Sequence, residues 1–216
     1  MSNFSKRVLT SFFLIILLYL SFVNIFFMSF FIIIVTFFAL LEFNDILNRI
    51  FVKNLSKFTS FFLSLIYLTF FSLIILLHLI PLFETKKVSL LFIILLCIST
   101  DIGGYIFGKT IGGKRLTKIS PNKTYAGSAG SFIVSVVIGI LFLNSYHEYI
   151  TIYLNEIIFI LLISAFSQIG DLAISYLKRK ANINDTGSFL PGHGGVLDRI
   201  DGILLAVPVG LILISI

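Results

Sequence analysis

Between Ser175 and Asp201 the chain reads SYLKRKANINDTGSFLPGHGGVLDRID, with four bases, three aspartates, four glycines and a histidine in a sequence otherwise dominated by Ile, Leu and Phe. An ionisable group at bilayer depth costs roughly 2.5–3.5 kcal/mol even on insertion scales. Charge at this density therefore belongs at a polar surface or in a wet cavity. Asp171, Ser175, Lys178 and Arg179 fall at i, i+4, i+7 and i+8, so an acid, a hydroxyl and two bases share one helical face. A membrane anchor with Asp171 as ion-pair partner is the plainer reading, and Lys180, off that face, fits only the anchor. Asp198 and Asp201 lie three apart at the entry to the last apolar run and suit a divalent cation or an arginine clamp. The chain has no Cys/His set for zinc. Carboxylates with few imidazoles point to magnesium, which keeps waters and is shared with substrate phosphates. His193 reads either as a structural hydrogen bonder or as an acid/base.

Two further stretches carry polar residues. Asp101 opens DIGGYIFGKTIGGKR and has no evident local partner, which favours a place facing a polar cavity. Its neighbours Gly103 and Gly104 read as helix-packing positions or as part of that site. The turn Gly112-Gly113-Lys114-Arg115 can present backbone N–H groups and cations to an anion. It resembles a Walker loop only superficially, since no strand precedes it and the spacing differs. In Ser120-Pro121-Asn122-Lys123-Thr124, Lys123 and Thr124 can donate to a phosphate from a loop near a helix N-terminus. A cap with a snorkelling lysine is the alternative.

The elements that must position these residues are membrane helices. The chain has 216 residues, 58% hydrophobic and only 12% charged, about half the ~25% that a soluble domain carries. The single cysteine, Cys97, excludes an internal disulfide and reads as a small apolar core residue. Lys6 and Arg7 precede an apolar run without an A-x-A-like site, so an uncleaved first span is expected. A spanning helix needs about 20 apolar residues. Val8–Phe43 is too long for one, and Asn24 near its middle divides it into two. Further spans are expected over Phe58–Leu79, Val88–Phe107, Gly127–Leu143, Ile152–Gln168 (continuing as a polar helix to Lys180) and Ile203–Ile216. The expected fold is all-α, a polytopic membrane helix bundle of about seven spans. With the N-terminus cytoplasmic, fourteen of the 16 bases face inside and only Lys86 and Lys87 face out, a strong positive-inside bias. The working face is then cytoplasmic. Residues 1–85 are expected to form N-terminal transmembrane helices, and 86–216 a catalytic transmembrane region with its site at the cytoplasmic face. Few carboxylates, many cations and glycine turns at a membrane surface suit a phosphate-rich substrate plus a metal. They suit acyl transfer poorly.

These stretches resemble the phosphatidate cytidylyltransferase (CDP-diacylglycerol synthase) family. Its C-terminal signature is matched by Ser175, Lys178, Arg179, Asp185, Gly187, Leu190, Pro191, His193, Gly194, Gly195, Asp198, Arg199 and Asp201; Asn184 stands where the family has lysine. Its upstream pattern is matched by Asp101, Gly103, Gly104, Tyr105, Gly108, Lys109, Gly113, Lys114, Ser120, Pro121, Lys123, Thr124 and Gly127. The resemblance covers roughly residues 90 to 216, and the chain looks shorter than typical members.

The resemblance implies transfer of the cytidylyl group from CTP to phosphatidate, giving CDP-diacylglycerol and pyrophosphate in phospholipid biosynthesis. It implies Asp171 and Asp198 as magnesium ligands, with Asp101 or Asp201 near a second cation. Lys123, Arg199 and Asp201 join those two as catalytic residues. Lys114, Arg115, Ser120, Lys123 and Thr124 would hold the CTP phosphates, and Ser175, Lys178, Arg179 and Arg199 the phosphatidate head group or pyrophosphate. Asp101 and His193 would belong to the substrate site, and Gly194 and Gly195 would let backbone approach a phosphate. CTP, phosphatidate and membrane lipids are the expected partners, with no nucleic acid. A homodimer and a bacterial inner-membrane location are further expectations. The rival readings are a CTP-dependent lipid kinase, and a transporter or scramblase lined by Asp101 and Asp171.

Overall fold

The computed structural model describes residues 12–13, 16–80, 83–152, 154–190 and 194–215. Among them the long regular elements are all helices, accompanied by two isolated β-bridges, Arg115–Thr124 and Leu190–Gly194. A helical stretch over 16–23 stops at Asn24, whose backbone is extended (φ −147°, ψ 138°) and whose side chain accepts the Phe26 N–H at 2.8 Å. The amide oxygen takes one of the N–H groups that a helix start leaves unpaired, so the expected break at Asn24 is present. Helix α1 then runs Ile25–Ile50, past the Phe43 end expected for this span. The others are α2 (Asn54–Leu79), α3 (Phe83–Thr110), α4 (Tyr125–Tyr146), α5 (Glu156–Lys180) and α6 (Leu197–Ser215).

Five of the described helices are long and apolar enough to cross a membrane: α1, α2, residues 86–110 of α3, α4 and α5. Seven spans were expected. The first of them lies partly outside the described residues, and α6 carries Asp198, Arg199 and Asp201 in its first five positions, a charge load that bilayer depth disfavours. The outer face of α1 presents Phe26, Phe30, Ile33, Phe37 and Leu41 at i, i+4, i+7, i+11 and i+15, with Phe26 81% exposed. A continuous apolar stripe of this kind is untenable in water and ordinary against lipid. The chain is an integral membrane protein.

The chain divides into two compact units, Met1–Ile80 with Leu177–Ile200, and Pro81–Tyr176 with Asp201–Ile216. In the first, α1 and α2 pack together through stripes of helical spacing, Ala39, Glu42 and Ile46 on one and Ser64, Leu68, Phe71 and Ile75 on the other. The second unit has its core at Phe92, Ile93, Leu96, Phe159, Ile160, Ile163 and Val207, with the Phe92 ring stacked near those of Phe142 and Phe159.

Small residues bring the second unit's helices close. A Cβ on Gly103 would sit 2.5 Å from the Gly130 carbonyl oxygen, and one on Gly127 would sit 2.8 Å from that of Gly104. Backbone meets backbone where α3 crosses α4, so Gly103 and Gly104 are packing positions. The Ser131 hydroxyl reinforces the crossing by donating to the Thr100 carbonyl at 2.7 Å. Gly170 of α5 likewise lies against the backbone of Asp201 and Gly202 in α6.

Candidate active site

In the second unit the 111–124 connection folds back on itself. Gly112 (φ 65°) and Gly113 (φ 96°) turn the chain in the left-handed region that glycine tolerates. The Leu116 N–H then donates to the Lys123 carbonyl (2.7 Å), and the Tyr125 N–H to that of Lys114 (3.1 Å). Thr124 caps α4, its Oγ1 accepting the Gly127 N–H at 3.0 Å. This leaves the Thr124 O–H available as a donor.

This connection, α3 and α5 border a cavity of about 320 Å³. Asp101, Ser120, Asn122, Lys123, Thr124, Ser128, Gln168 and Asp171 line it. Lys123 forms an ion pair with Asp171, whose other carboxylate oxygen lies 3.3 Å from the Ser175 hydroxyl. Gln168 accepts the Ser128 hydroxyl at 2.6 Å, while its Nε2 is buried without a hydrogen-bond partner. Such a donor costs free energy until an acceptor arrives. The cavity thus joins two carboxylates, an ammonium group, free hydroxyls and an unmet amide beside a helix N-terminus, where anions are favoured.

In the first unit α5 ends in a Schellman arrangement. The Ile183 N–H reaches the Lys178 carbonyl (3.0 Å), the Asn182 N–H reaches that of Arg179 (3.1 Å), and Asn182 is left-handed (φ 56°). Lys178 then meets Asp198 at 2.6 Å, with both side chains largely buried. Asp198 Oδ2 also accepts the Thr186 N–H (2.8 Å), the Gly195 N–H (3.1 Å) and approaches the Thr186 hydroxyl (3.0 Å). Burial opposes ionisation of Asp198, but the hydrogen bonds from Lys178, Thr186 and Gly195 and the lysine charge outweigh it. They hold this carboxyl below the usual carboxylate range. Arg179 donates to Asn184 Oδ1 at 3.0 Å.

A model of the cytidylyltransferase family matches residues 2–216. The chain belongs to that family. It is 41% identical over 111 residues to the phosphatidate cytidylyltransferase of Bacillus subtilis (51% of this chain, 41% of that protein). To the enzyme of the same name from Rickettsia bellii it is 46% identical over 121 residues, 51% of each. To that of Staphylococcus saprophyticus it is 41% identical over 131 residues (59% of this chain, 50% of that one). The chain spans about half the length of the curated relatives it matches. The family match takes in the N-terminal helices, which the motifs had not reached.

Of the residues singled out in the sequence, Asp101, Ser120, Lys123, Thr124 and Asp171 are brought to one cavity. Lys178, Gly194, Gly195 and Asp198 form the other grouping, with Gly194 left-handed (φ 85°) and its Cβ position 3.1 Å from Asp198 Oδ2. Lys114 and Arg115 are not among the described residues lining the cavity. His193 lies outside the described residues. Arg199 and Asp201 occupy the first turns of α6.

Among the described residues no three His, Cys, Asp or Glu side chains cluster as a metal centre. Magnesium needs only one or two carboxylates beside waters and substrate phosphates. The cavity's Asp101 and Asp171 are carboxylates of that kind, Asp171 being paired with Lys123 and close to the Ser175 hydroxyl. Asp198 has both oxygens engaged by hydrogen-bond donors.

Sequence reasoning missed Gln168, Ser128, Thr186 and Glu42. Glu42 is 6% exposed, and its carboxylate accepts the N–H groups of Val196 (2.9 Å) and Leu197 (2.8 Å) and the Thr186 hydroxyl (2.8 Å). Its signal was the buried spacing Ala39–Glu42–Ile46. A Cβ on Gly187 would lie 2.6 Å from Glu42 Oε1, and one on Gly195 would overlap Glu42 Oε2 and Thr186 Oγ1. These two glycines make room for a carboxylate.

Proposed function

We propose that this chain is a phosphatidate cytidylyltransferase, an integral membrane enzyme working at the cytoplasmic face of a bacterial inner membrane. A phosphatidate oxygen attacks the α-phosphorus of CTP in line, the bond to the β-phosphate bridging oxygen breaks, and pyrophosphate leaves. The reading rests on the cavity in which Asp101, Lys123 and Thr124, from the family's motifs, converge with Asp171. At about 320 Å³ it suits a triphosphate, since small-molecule pockets run from roughly 300 Å³ upward.

The attacking phosphomonoester is already anionic near neutral pH, its second pKa being about 6, so no strong general base is required. The obstacle is repulsion between two anions. Lys123, a cation lining the cavity, would offset it, and the Thr124 hydroxyl and the Gln168 amide would supply donors to phosphoryl oxygens. Asp171, with Asp101, would hold magnesium, which when bound neutralises phosphate charge and steadies the leaving group. Lys178, Arg179 and Arg199 are the cations proposed for the lipid phosphate or pyrophosphate, with Asp198 as the acid that orients Lys178.

The test uses purified protein with phosphatidate, magnesium and CTP labelled at either the α- or the γ-phosphate. Cytidylyl transfer puts α-label into a chloroform-soluble lipid, and the product is lost on chelation and in Lys123→Met. Entry of γ-label alone would replace this reading with a lipid kinase.

A further inference from the structure

Glu42 is the one acid of α1 that lies on its buried stripe, inside a helix apolar enough to cross a membrane. A carboxylate in such a place is strongly unfavourable unless donors satisfy it. Its three donors all come from one segment: the Thr186 hydroxyl and the N–H groups of Val196 and Leu197, at the very start of α6. Those N–H groups have no partner inside their own helix. Glu42 therefore caps α6 from another helix, where the positive end of the helix dipole favours a carboxylate.

The same segment surrounds Asp198. The Thr186 hydroxyl lies 2.8 Å from Glu42 and 3.0 Å from Asp198, and its single proton serves one acid at a time. The Thr186 N–H stays with Asp198 in either case. Gly187 and Gly195 are shaped around the Glu42 carboxylate, and the Gly195 N–H also donates to Asp198. Moving Glu42 would loosen the backbone that supplies two of the hydrogen bonds on Asp198.

We propose that Glu42 is a positioning residue: inserted from α1, its carboxylate pins Thr186, Val196 and Leu197 and so fixes the Asp198 carboxylate where Lys178 meets it. Glu42 touches no substrate and acts through the loop. The inference rests on the reading of the chain as a cytidylyltransferase in action as well as in family.

The test compares wild type, Glu42→Gln and Glu42→Asp in the purified full chain, by local hydrogen exchange and by the kinetics of CTP-dependent transfer. In Glu42→Gln one acceptor becomes an NH₂ group facing N–H donors. Amides of 186–197 should then exchange roughly tenfold or more faster, the scale of one hydrogen bond to a charged group, while α3 and α4 keep their protection. The kcat should fall about 10- to 100-fold with KM for CTP within about threefold, the pattern of a residue that acts on the transition state without binding the nucleotide. Glu42→Asp should recover part of both. Unchanged exchange over 186–197, an unchanged kcat, or exchange rising equally across the whole chain would each overturn the proposal. If wild type transfers no cytidylyl group, the functional reading fails and the catalytic role of Glu42 fails with it. The exchange data then still decide whether Glu42 holds the loop.

Discussion

Replacing Lys178 by methionine keeps the aliphatic stem and deletes the ammonium group that meets Asp198 at 2.6 Å. The two side chains are 15% and 8% exposed, so solvent screens the pair poorly. Stranding one member of a buried pair costs about 3–5 kcal/mol. Asp198 keeps the donors from Thr186 and Gly195, which brings the expected loss to the low end, about 3 kcal/mol. For a chain of this size that is a fall in Tm of roughly 6–12 °C. A thermal melt in detergent micelles reads it, and the cycle with Asp198→Asn isolates the pair. The coupling between the two substitutions should be about 1.5–3 kcal/mol, the worth of a hydrogen bond between charged groups. Acid gives a second check. The Asp198 carboxyl titrates below its unfolded value, so its stabilisation is present above about pH 4 and is lost as pH falls through the folded pKa. The gap between wild type and Lys178→Met should therefore narrow on acidification. A melt of Lys178→Met within about 2 °C of wild type at neutral pH, well inside the expected shift, would refute the reasoning, as would strict additivity in the cycle.

Two more outcomes are open to measurement. Gly103→Ala places a methyl group 2.5 Å from the Gly130 carbonyl oxygen and 2.9 Å from the Val134 Cβ. Neither backbone can yield cheaply, so a loss of about 1–3 kcal/mol is expected, read as a lowered Tm. Asn182 holds a left-handed backbone (φ 56°) at the end of α5. Asn182→Val should cost about 1–3 kcal/mol, because a β-branched side chain clashes there, and it should raise hydrogen exchange at Ile183, whose N–H closes the cap on Lys178.

Much of the helical order was legible in apolar run lengths, because bilayer thickness leaves a spanning segment little choice of length. Asn24 announced the start of α1 through its capping chemistry. Asp101, Lys123, Thr124 and Asp171 were each singled out by residue type and position, and all four line one cavity. What was not legible depends on contacts between segments far apart in the chain. The apolar run was expected to end at Phe43, yet α1 continues to Ile50 and its Glu42 binds residues more than 140 positions away. A Cβ on Gly195 would overlap that carboxylate, a constraint that no local pattern around Gly195 announces. Asn184, the departure from the signature, accepts a hydrogen bond from Arg179, which a lysine could not do.

Where two helix backbones touch, the width of a neighbouring cavity is set by covalent geometry and no longer by side-chain size. Gly104 and Gly127 both border the cavity and leave nothing between α3 and α4. A descendant of this chain cannot enlarge the cavity by trimming those positions, since no atoms are left to trim. It can fill the space, or it can redraw the 111–124 connection, where Gly113 has no atom within 4 Å of its Cβ position. Drift in ligand preference is thus left to that loop and to larger lining side chains such as Tyr105, Gln168 and Leu172, while α3 and α4 keep their spacing.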